Sequence, residues 1–488
     1  MTILGGLDIG TTGAKLTAYT ETGEFLGSAY REYEVMREGG MHEVDAAVIY
    51  EKVCEVLSEI GKQYPLSAIG VTSFGETFVL TDEAGQPLAP AMLYTDLRGE
   101  EECASLCRAI SADTITDISG VKPHPMFSLP KLMWIKAHRP EIYAQAKYVF
   151  LMGDYIIFRL TGERRISYSL AARTMAFDIR QKCFSDEILT AAGIDRALFS
   201  IPTDSFAVAG EIKPAIADAL GISHGIRMTV GAHDQVAATV GAGILEPGCA
   251  MDGAGTVECI VPLFDEYPDT SALAKGAYPI IPYVFPDTYV TYAFSFTGGA
   301  TLKWFRDKLS AEKRYAVLDA AVKEEPTGIL VMPHFSGAAT PYMDTGSKAA
   351  FVGLTLAHDG ADLYKALMEG VAYEAKLNLD MLAEAGIKPR RLYATGGGAS
   401  DVWLGIKADI WQSEIVSLEA GEVGACGACM LAGVAIGVYP DLFAAKRIFV
   451  KEKKTYRPSE NRAEQYQRLY EAYREMYAAV RPIIEKTK

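Results

Sequence analysis

The sequence contains 488 residues, of which 49% are hydrophobic and 22% are charged, so it can bury a sizeable core and is not expected to be disordered. This length favours two domains over one. The formal net charge of −15 argues against broad contact with nucleic acid or with an anionic membrane. An anionic substrate would therefore need local help from backbone amides, a lysine or a metal ion.

The cysteines and the longest uncharged run favour a cytoplasmic protein without a zinc site. Eight cysteines are scattered along the chain, and the one CxxC pair, Cys426 and Cys429, has no second pair beside it. Free buried thiols in a reducing cytoplasm are expected. The run 423–440 contains four glycines and ends in proline, which predicts a tightly packed core helix and not a membrane span. An apolar run begins at Ile3, so no signal peptide is expected.

The first motif is a predicted hairpin that turns at residues 10–13. This Gly-Thr-Thr-Gly turn offers backbone N–H groups and the hydroxyls of Thr11 and Thr12, and Lys15 follows it. Glycine turns rich in N–H groups hold anions. Asp8 would repel a bare phosphate, so it fits best if a divalent metal ion lies between carboxylate and phosphate. The motif suggests a nucleotide with its metal, and the alternative is an ordinary hairpin turn that needs small residues.

Two polar turns follow predicted strands in the next part of the chain. The strand predicted at 67–72 leads to Glu76. Such a turn commonly presents a ligand group, and the alternative is a solvated carboxylate. A second strand, at 91–94, ends near Asp96 and Arg98, which form either a structural ion pair or a set of partners for polyol hydroxyls.

Helical patterns predict helices over 46–63, 126–139 and 461–481, the last of them ended by a proline. The strand predicted at 228–231 runs through a tight turn into a helix of small residues, with Asp234 at its N-terminus. An acidic side chain is favourable there in any protein, because the helix N-terminus stabilises its ionised form. The ionised form is also the one that a general base needs.

The second half of the chain opens like the first. Residues 250–260 repeat the strand, the Asp/Gly/Thr turn and the strand of residues 6–19, and Gly255 lies 245 residues beyond Gly10, half the chain length. The repeat predicts two related halves that close on a cleft, with one phosphate-holding turn from each half.

A glycine-rich loop follows the strand predicted at 392–395. Three successive glycines and Ala399 stand between that strand and the next helix. Such a loop permits close approach of a flat or anionic ligand. The alternative is a flexible connection.

Taken in order, these segments resemble the FGGY carbohydrate kinases of the actin, sugar-kinase and heat-shock ATPase superfamily. The resemblance covers most of the chain and rests on segments Asp8–Lys15, Met126–Trp134, Gly231–Gly243, Asp252–Thr256, Ser295–Trp304, Ala349–Glu369, Gly396–Ser400 and Glu422–Gly433. It implies an α/β fold with two actin-like (ribonuclease H-like) domains, 1–245 and 246–488, that form a nucleotide cleft. The first domain would bind the sugar and the second the nucleotide.

The resemblance also implies roles for single residues. ATP would be bound by the two turns, the loop and neighbouring groups, namely Gly10, Thr11, Thr12, Lys15, Gly255, Thr256, Gly299, Gly397, Gly398 and Ala399. Mg²⁺ would lie near Asp8. Asp234 would bind the substrate and be the general base on its hydroxyl, because phosphoryl transfer needs a nearby carboxylate for the acceptor proton. Glu76, Asp96 and Arg98 would complete the substrate site.

The substrate motif departs from the best-known members of the family. A glycerol kinase pattern places an arginine where Gly75 stands, and a xylulokinase pattern places Met-His at Gly75-Glu76 and a tryptophan at Tyr94. Asp96 and Arg98 are kept as in both. We expect a neutral ketose, polyol or related sugar. Glu76 and Asp96 would repel the carboxylate of a sugar acid unless Arg98 points inward.

The resemblance leaves one alternative function, a non-kinase ATPase or nucleotide-binding regulator of the same superfamily. No nucleic acid or membrane partner is expected for the chain. A homodimer is the assembly considered.

Overall fold

The computed structural model describes residues 1–398, 400–419 and 421–487, and the elements are numbered along the chain. Up to Leu245 the strands are β1 (Ile3–Ile9), β2 (Gly13–Thr20), β3 (Phe25–Glu32), β4 (Met36–Glu38), β5 (Met41–Val44), β6 (Ala68–Ser73), β7 (Phe78–Thr81), β8 (Ala91–Met92), β9 (Tyr148–Leu151), β10 (Arg165–Ser167), β11 (Phe177–Asp178), β12 (Cys183–Phe184), β13 (Ile201–Thr203), β14 (Val208–Glu211) and β15 (Arg227–His233). The helices are α1 (Ala46–Gln63), α2 (Glu100–Ala109), α3 (Ala112–Ser119), α4 (Ser128–His138), α5 (Pro140–Gln145), α6 (Met152–Thr161), α7 (Tyr168–Ala171), α8 (Asp186–Ala192), α9 (Pro214–Leu220) and α10 (Asp234–Gly241).

The remainder of the chain continues the same mixture of helices and strands. Its strands are β16 (Cys249–Ala254), β17 (Glu258–Phe264), β18 (Ile281–Pro282), β19 (Tyr289–Val290), β20 (Ala293–Ser295), β21 (Leu330–Met332), β22 (Ala350–Val352), β23 (Arg391–Thr395), β24 (Glu414–Leu418) and β25 (Glu452–Tyr456). Its helices are α11 (Thr270–Lys275), α12 (Gly299–Lys308), α13 (Tyr315–Ala320), α14 (Gly360–Glu384), α15 (Asp401–Trp411), α16 (Val423–Ala435), α17 (Leu442–Phe449), α18 (Glu460–Arg474) and α19 (Met476–Glu485).

The chain forms two units, and the predicted α/β class is confirmed in both. The first unit contains residues 1–245, 280–290 and 422–450, and the second contains 246–279, 291–421 and 451–488. The predicted domains are 1–245 and 246–488, and the first change of unit falls after Leu245. However, the second half is not one continuous domain, because two of its segments return to the first unit.

The main sheet of the first unit has the strand order β14-β15-β6-β1-β2-β3. Strand β1 pairs antiparallel with β2 and parallel with β6, and β15 is parallel to β6 on its other side. Helices α1 and α16 pack on this sheet, so β1 is apolar and buried along nearly its whole length. The carboxyl ends of β1, β6 and β15 consequently meet at one edge, where α/β sheets present ligand groups.

The glycines of β1 and β6 explain why α16 belongs to the first unit. A Cβ atom at Gly6 would lie 2.0 Å from the carbonyl oxygen of Ala425, and one at Gly70 would lie 2.0 Å from that of Ala428. The helix backbone therefore rests directly on the sheet, which only glycine permits. The predicted core helix in the run 423–440 is confirmed, and the glycines at positions 6 and 70 are a requirement of this contact.

The second unit repeats the strand pattern of the first. Strand β16 pairs antiparallel with β17 and parallel with β23, and β23 is parallel to β24. The turn between β16 and β17 thus corresponds in topology to the turn between β1 and β2. This is the half-chain repeat that the sequence predicts.

The C-terminal helix differs from its prediction. Two helices, α18 and α19, replace the single helix, and Pro482 lies inside α19. Two side chains hold α19 in place, because the Tyr477 hydroxyl donates to Asp344 Oδ2 at 2.9 Å and Arg481 also binds that carboxylate. In the part of the chain that the structure describes, no helix is both long enough and apolar enough to cross a bilayer.

Candidate active site

Three carboxylates lie at the carboxyl edge of the first unit's sheet. Asp8 is the next-to-last residue of β1, Glu76 follows β6, and Asp234 follows β15. Across the parallel pairs, Asp8 is in register with Thr72, and His233 is in register with Ser73. The fold therefore gathers three acidic side chains that are far apart in the sequence.

A backbone irregularity aims Asp234 at this edge. The register between β15 and β6 shifts just before Ala232, at Gly231, which has a φ of +67°. A Cβ atom at Gly231 would lie 1.8 Å from the carbonyl oxygen of Val71, so only glycine fits. His233 occupies the N-cap position of α10, and Asp234 is the first helical residue and not the cap.

The Asp234 carboxyl group titrates near neutrality. Its Oδ1 atom accepts the N–H of Gln235 at 2.5 Å and lies 3.2 Å from Nε2 of His233. The side chain is 36% exposed, yet protein atoms crowd it. Loss of water contacts, followed by the charges of Asp8 and Glu76, raises its pKa to about 7. These effects outweigh the helix N-terminus, which favours the ionised form.

Glu76 is buried and is held by an arginine that sequence reasoning missed. The residue has a left-handed backbone, with a φ of +60°. Arg173 binds its Oε1 atom through both Nε, at 2.7 Å, and a terminal guanidinium nitrogen. A Cβ atom at Gly75 would lie 2.7 Å from Cγ of Arg173, so the Arg173 side chain fills the space beside position 75. The guanidinium that a glycerol kinase pattern places at position 75 thus arrives from a different part of the chain.

Asp96 and Arg98 are bonded to each other. Arg98 donates from Nε to Oδ1 of Asp96 at 2.9 Å and from a terminal nitrogen to Oδ2 at 2.7 Å. The same arginine binds Glu43 at 2.5 Å and lies 5.0 Å above the Trp134 ring. Arg98 and its backbone bonds lower the pKa of Asp96 against the effect of burial. Asp96 and Arg98 thus form an ion pair, and their contact with substrate hydroxyls stays a prediction.

The first predicted phosphate turn is braced from behind by Tyr33. Within the turn, the N–H of Gly10 donates to the oxygen of Gly13 at 2.9 Å, and the Tyr33 hydroxyl donates to the Gly10 oxygen. The adjoining residues 11 and 12 are partly exposed and exposed, so their hydroxyls stand at the surface. Lys15 forms an ion pair with Glu422 at 2.8 Å.

Asp8 differs from the other two acidic residues, because its carboxylate has no bonded partner in the part of the chain that the structure describes. Within the described residues, its carboxylate makes no hydrogen bond or ion pair, although Lys15 and Glu422 act on it electrostatically. Burial and the charge of Glu422 raise its pKa to about 6, against the opposing effect of Lys15.

A cavity of about 440 Å³ in the second unit brings the other predicted nucleotide residues together. The predicted residues that line it are Gly255, Thr256, Gly299, Gly397 and Gly398. The remaining lining residues, which the sequence did not single out as ligand groups, are Ala300, Leu302, Lys303, Tyr315, Asp319, Tyr364 and Ser400. Ala399 lies outside the described residues.

The glycine-rich loop packs directly on the turn after β16. The N–H of Gly398 donates to the Ala254 oxygen at 2.9 Å, and Gly396 has a φ of +92°. A Cβ atom at Gly396 would lie 2.5 Å from the same oxygen. Gly396 and Gly398 are therefore packed against the end of β16.

Comparison with known proteins places this geometry in a family. Sequence profiles of the FGGY family of carbohydrate kinases match residues 3–241 (N-terminal domain) and 265–436 (C-terminal domain). A xylulose kinase of Bacillus subtilis is 27% identical over 482 residues, which cover 97% of this chain and 96% of that protein. A glycerol kinase of Methylibium petroleiphilum is 29% identical over 504 residues, with 98% and 100% covered.

A solved structure agrees with these sequence matches. The xylulose kinase from Rhodospirillum rubrum superimposes with a TM-score of 0.89 at 26% identity, and 99% of this chain and 100% of that chain are covered. Fold, sequence profiles and relatives all extend over both units. The chain therefore belongs to the FGGY family of carbohydrate kinases, and it is a carbohydrate kinase.

Proposed function

We propose that this kinase transfers the γ-phosphoryl group of ATP to a hydroxyl of a small neutral ketose or polyol, with Asp234 as the general base. The observation that carries the proposal is the position of Asp234, partly exposed at the carboxyl edge of the sheet with a pKa of about 7. A base with a pKa near the operating pH combines ionisation with a useful affinity for the proton. Phosphoryl transfer otherwise needs positioning and charge stabilisation.

The charge balance around Asp234 supports a neutral acceptor. Two guanidinium groups beside these residues are matched by carboxylates, Arg173 by Glu76 and Arg98 by Asp96 and Glu43. A sugar carboxylate would therefore meet excess negative charge. In this proposal Oε2 of Glu76 accepts a hydrogen bond from a hydroxyl of the sugar substrate. Asp96 and Arg98 shape the loop beside Glu76.

The second unit supports nucleotide binding. Its cavity has the volume of a small-molecule pocket and joins a Gly/Thr turn to a glycine-rich loop. We assign Gly255, Thr256, Gly299 and the loop of Gly397 and Gly398 to ATP. The corresponding turn of the first unit, Gly10–Thr12 with Lys15, is assigned to the phosphates.

Asp8 fits a divalent cation such as Mg²⁺. Its carboxylate is desolvated, has a raised pKa and lacks a bonded partner within the described residues, so a cation would stabilise the ionised form. A bound Mg²⁺ would neutralise part of the phosphate charge. Glu422 stands close enough to raise the pKa of Asp8, and it already holds Lys15.

Acceptor-dependent release of ADP tests this function. The purified enzyme is incubated with ATP, Mg²⁺ and a panel of ketoses, alditols and aldonates. We expect ADP release with some ketoses or alditols and little with aldonates. Release that is independent of every acceptor would support the alternative ATPase, and turnover with aldonates alone would contradict the neutral acceptor.

A further inference from the structure

A second group of ionisable side chains is buried in the second unit. Lys407 forms ion pairs with Asp252, at 2.8 Å, and with Glu258. The three side chains are 0%, 0% and 3% exposed, respectively. We call these three residues the buried triad. A charge so deeply buried is tolerated only when it is paired and hydrogen-bonded.

The buried triad connects the segments that surround the nucleotide cavity. Asp252 lies in β16 and Glu258 begins β17, so they stand on either side of the Gly255–Thr256 turn. Lys407 lies in α15, the helix that follows the glycine-rich loop. The loop and the turn line the same cavity, and the buried triad joins their supports from behind.

If all three side chains of the buried triad were ionised, the group would be one proton short of a balanced charge. Two carboxylates and one ammonium would leave a net charge of −1 without solvent. In addition, Oδ1 of Asp252 and Oε2 of Glu258 have no hydrogen-bond partner among the described residues. A proton held between the two carboxyl groups would balance the charge and supply the missing donor.

The titration behaviour agrees with this count. Burial and the charge of Asp252 raise the pKa of Glu258 well above its usual range. The two carboxyl groups raise the pKa of Lys407 despite its burial, which keeps the ammonium charged.

We infer that the buried triad is a neutral, proton-sharing clamp that positions the Gly255–Thr256 turn and the glycine-rich loop for nucleotide binding. Lys407 supplies the ammonium, and Glu258 shares its proton with Asp252. These are positioning residues, because none of them lines the cavity. The ligand identity rests on the proposed function, whereas the proton count does not.

Charge-matched variants test the clamp. Glu258→Gln keeps the shape and a donor, so ADP affinity is expected to stay within about threefold of wild type. Lys407→Met leaves a carboxylate buried alone, so we expect ADP affinity to fall by about tenfold or more, with the acceptor KM unchanged. The double variant Lys407→Met/Asp252→Asn removes both charges and should recover most of that loss.

Lys365 offers a matched control, because it is a second buried lysine of the same unit, 3.6 Å from Glu369 and bonded to three backbone carbonyl oxygens. Lys365→Met is expected to lower thermal stability without changing the ADP affinity of the folded protein. If Lys407→Met does not fold, the double variant and Glu258→Gln decide the question.

A spectroscopic measurement locates the proton independently of activity. The infrared difference spectrum between wild type and Glu258→Gln should show a protonated carboxylic acid band that is present only in wild type. Absence of this band, or a loss of ADP affinity in Glu258→Gln as large as in Lys407→Met, would overturn the clamp. An enzyme that binds ADP but phosphorylates no acceptor would instead contradict the proposed function and leave the clamp standing.

Discussion

The two groups of carboxylates in this kinase have opposite charge environments. At the sheet edge of the first unit, burial and then the charges of other carboxylates raise the pKa values of Asp8 and Asp234 to about 6 and 7. In the second unit, Asp252 and Glu258 share a buried ammonium. Within the described residues, the comparison teaches that one strand–turn–strand pattern can leave its carboxylate without a bonded cation, as at Asp8, or hold it in an ion pair, as at Asp252.

The largest effect is expected at Asp234. Asp234→Asn should lower kcat by about 10²–10⁴-fold, because a positioned general base contributes that much. The thermal midpoint and ADP affinity should change little, since the residue is not the helix cap. Steady-state kinetics and thermal unfolding measure both quantities. Turnover equal to wild type would show that Asp234 is not the general base and that another carboxylate has this role. The contrast between the two groups of carboxylates would then fail.

A smaller effect is expected at Glu76. Glu76→Gln should raise the acceptor KM by about 12–160-fold, because a charged hydrogen bond is worth about 1.5–3 kcal/mol. The ATP KM should stay constant. Glu59→Gln, which alters an exposed ion pair with Arg31, is the control and should change neither value. Equal changes in both KM values would place Glu76 outside the acceptor site.

The pH dependence sharpens the comparison further. The base acts only when ionised, so acceptor kcat/KM should fall about tenfold per pH unit below the pKa of Asp234, which is about 7. The charge of Glu76 contributes to raising that pKa. In Glu76→Gln the acid limb should therefore move to lower pH. An acid limb that does not move would show that another group controls it.

The smallest effects are expected at the two turns. Thr12→Val and Thr256→Val should each raise the ATP KM by about 2–12-fold, the equivalent of one hydrogen bond of about 0.5–1.5 kcal/mol. The acceptor KM should not respond. Kinetics with ATP varied at saturating acceptor measure this. Unchanged ATP affinity in both variants would remove the turns from the phosphate site.

Local patterns in the sequence predicted much of the fold. Alternation and glycine spacing gave the strand–turn–strand units at 3–20 and 249–264, and apolar periodicity gave α1. These features depend on neighbours within a few residues, so a single sequence contains them. The order of the motifs then identified the family.

The parts that were missed depend on contacts between distant residues. Arg173 meets Glu76 across 97 positions, and Lys407 meets Asp252 across 155. Neither Arg173 nor Lys407 belongs to a sequence spacing that indicates a contact with a carboxylate. The return of 422–450 to the first unit was missed for the same reason, although the four glycines of the run 423–440 were a signal of close packing.

The packing of α16 on the main sheet of the first unit has a consequence for folding during translation. The ribosome completes β1 and β6 long before it reaches the helix whose backbone rests on Gly6 and Gly70. Until then, one apolar sheet face has no cover from its native partner, and such faces attract other chains. The nascent protein must therefore avoid aggregation through this uncovered sheet face while most of its remaining sequence is still being translated.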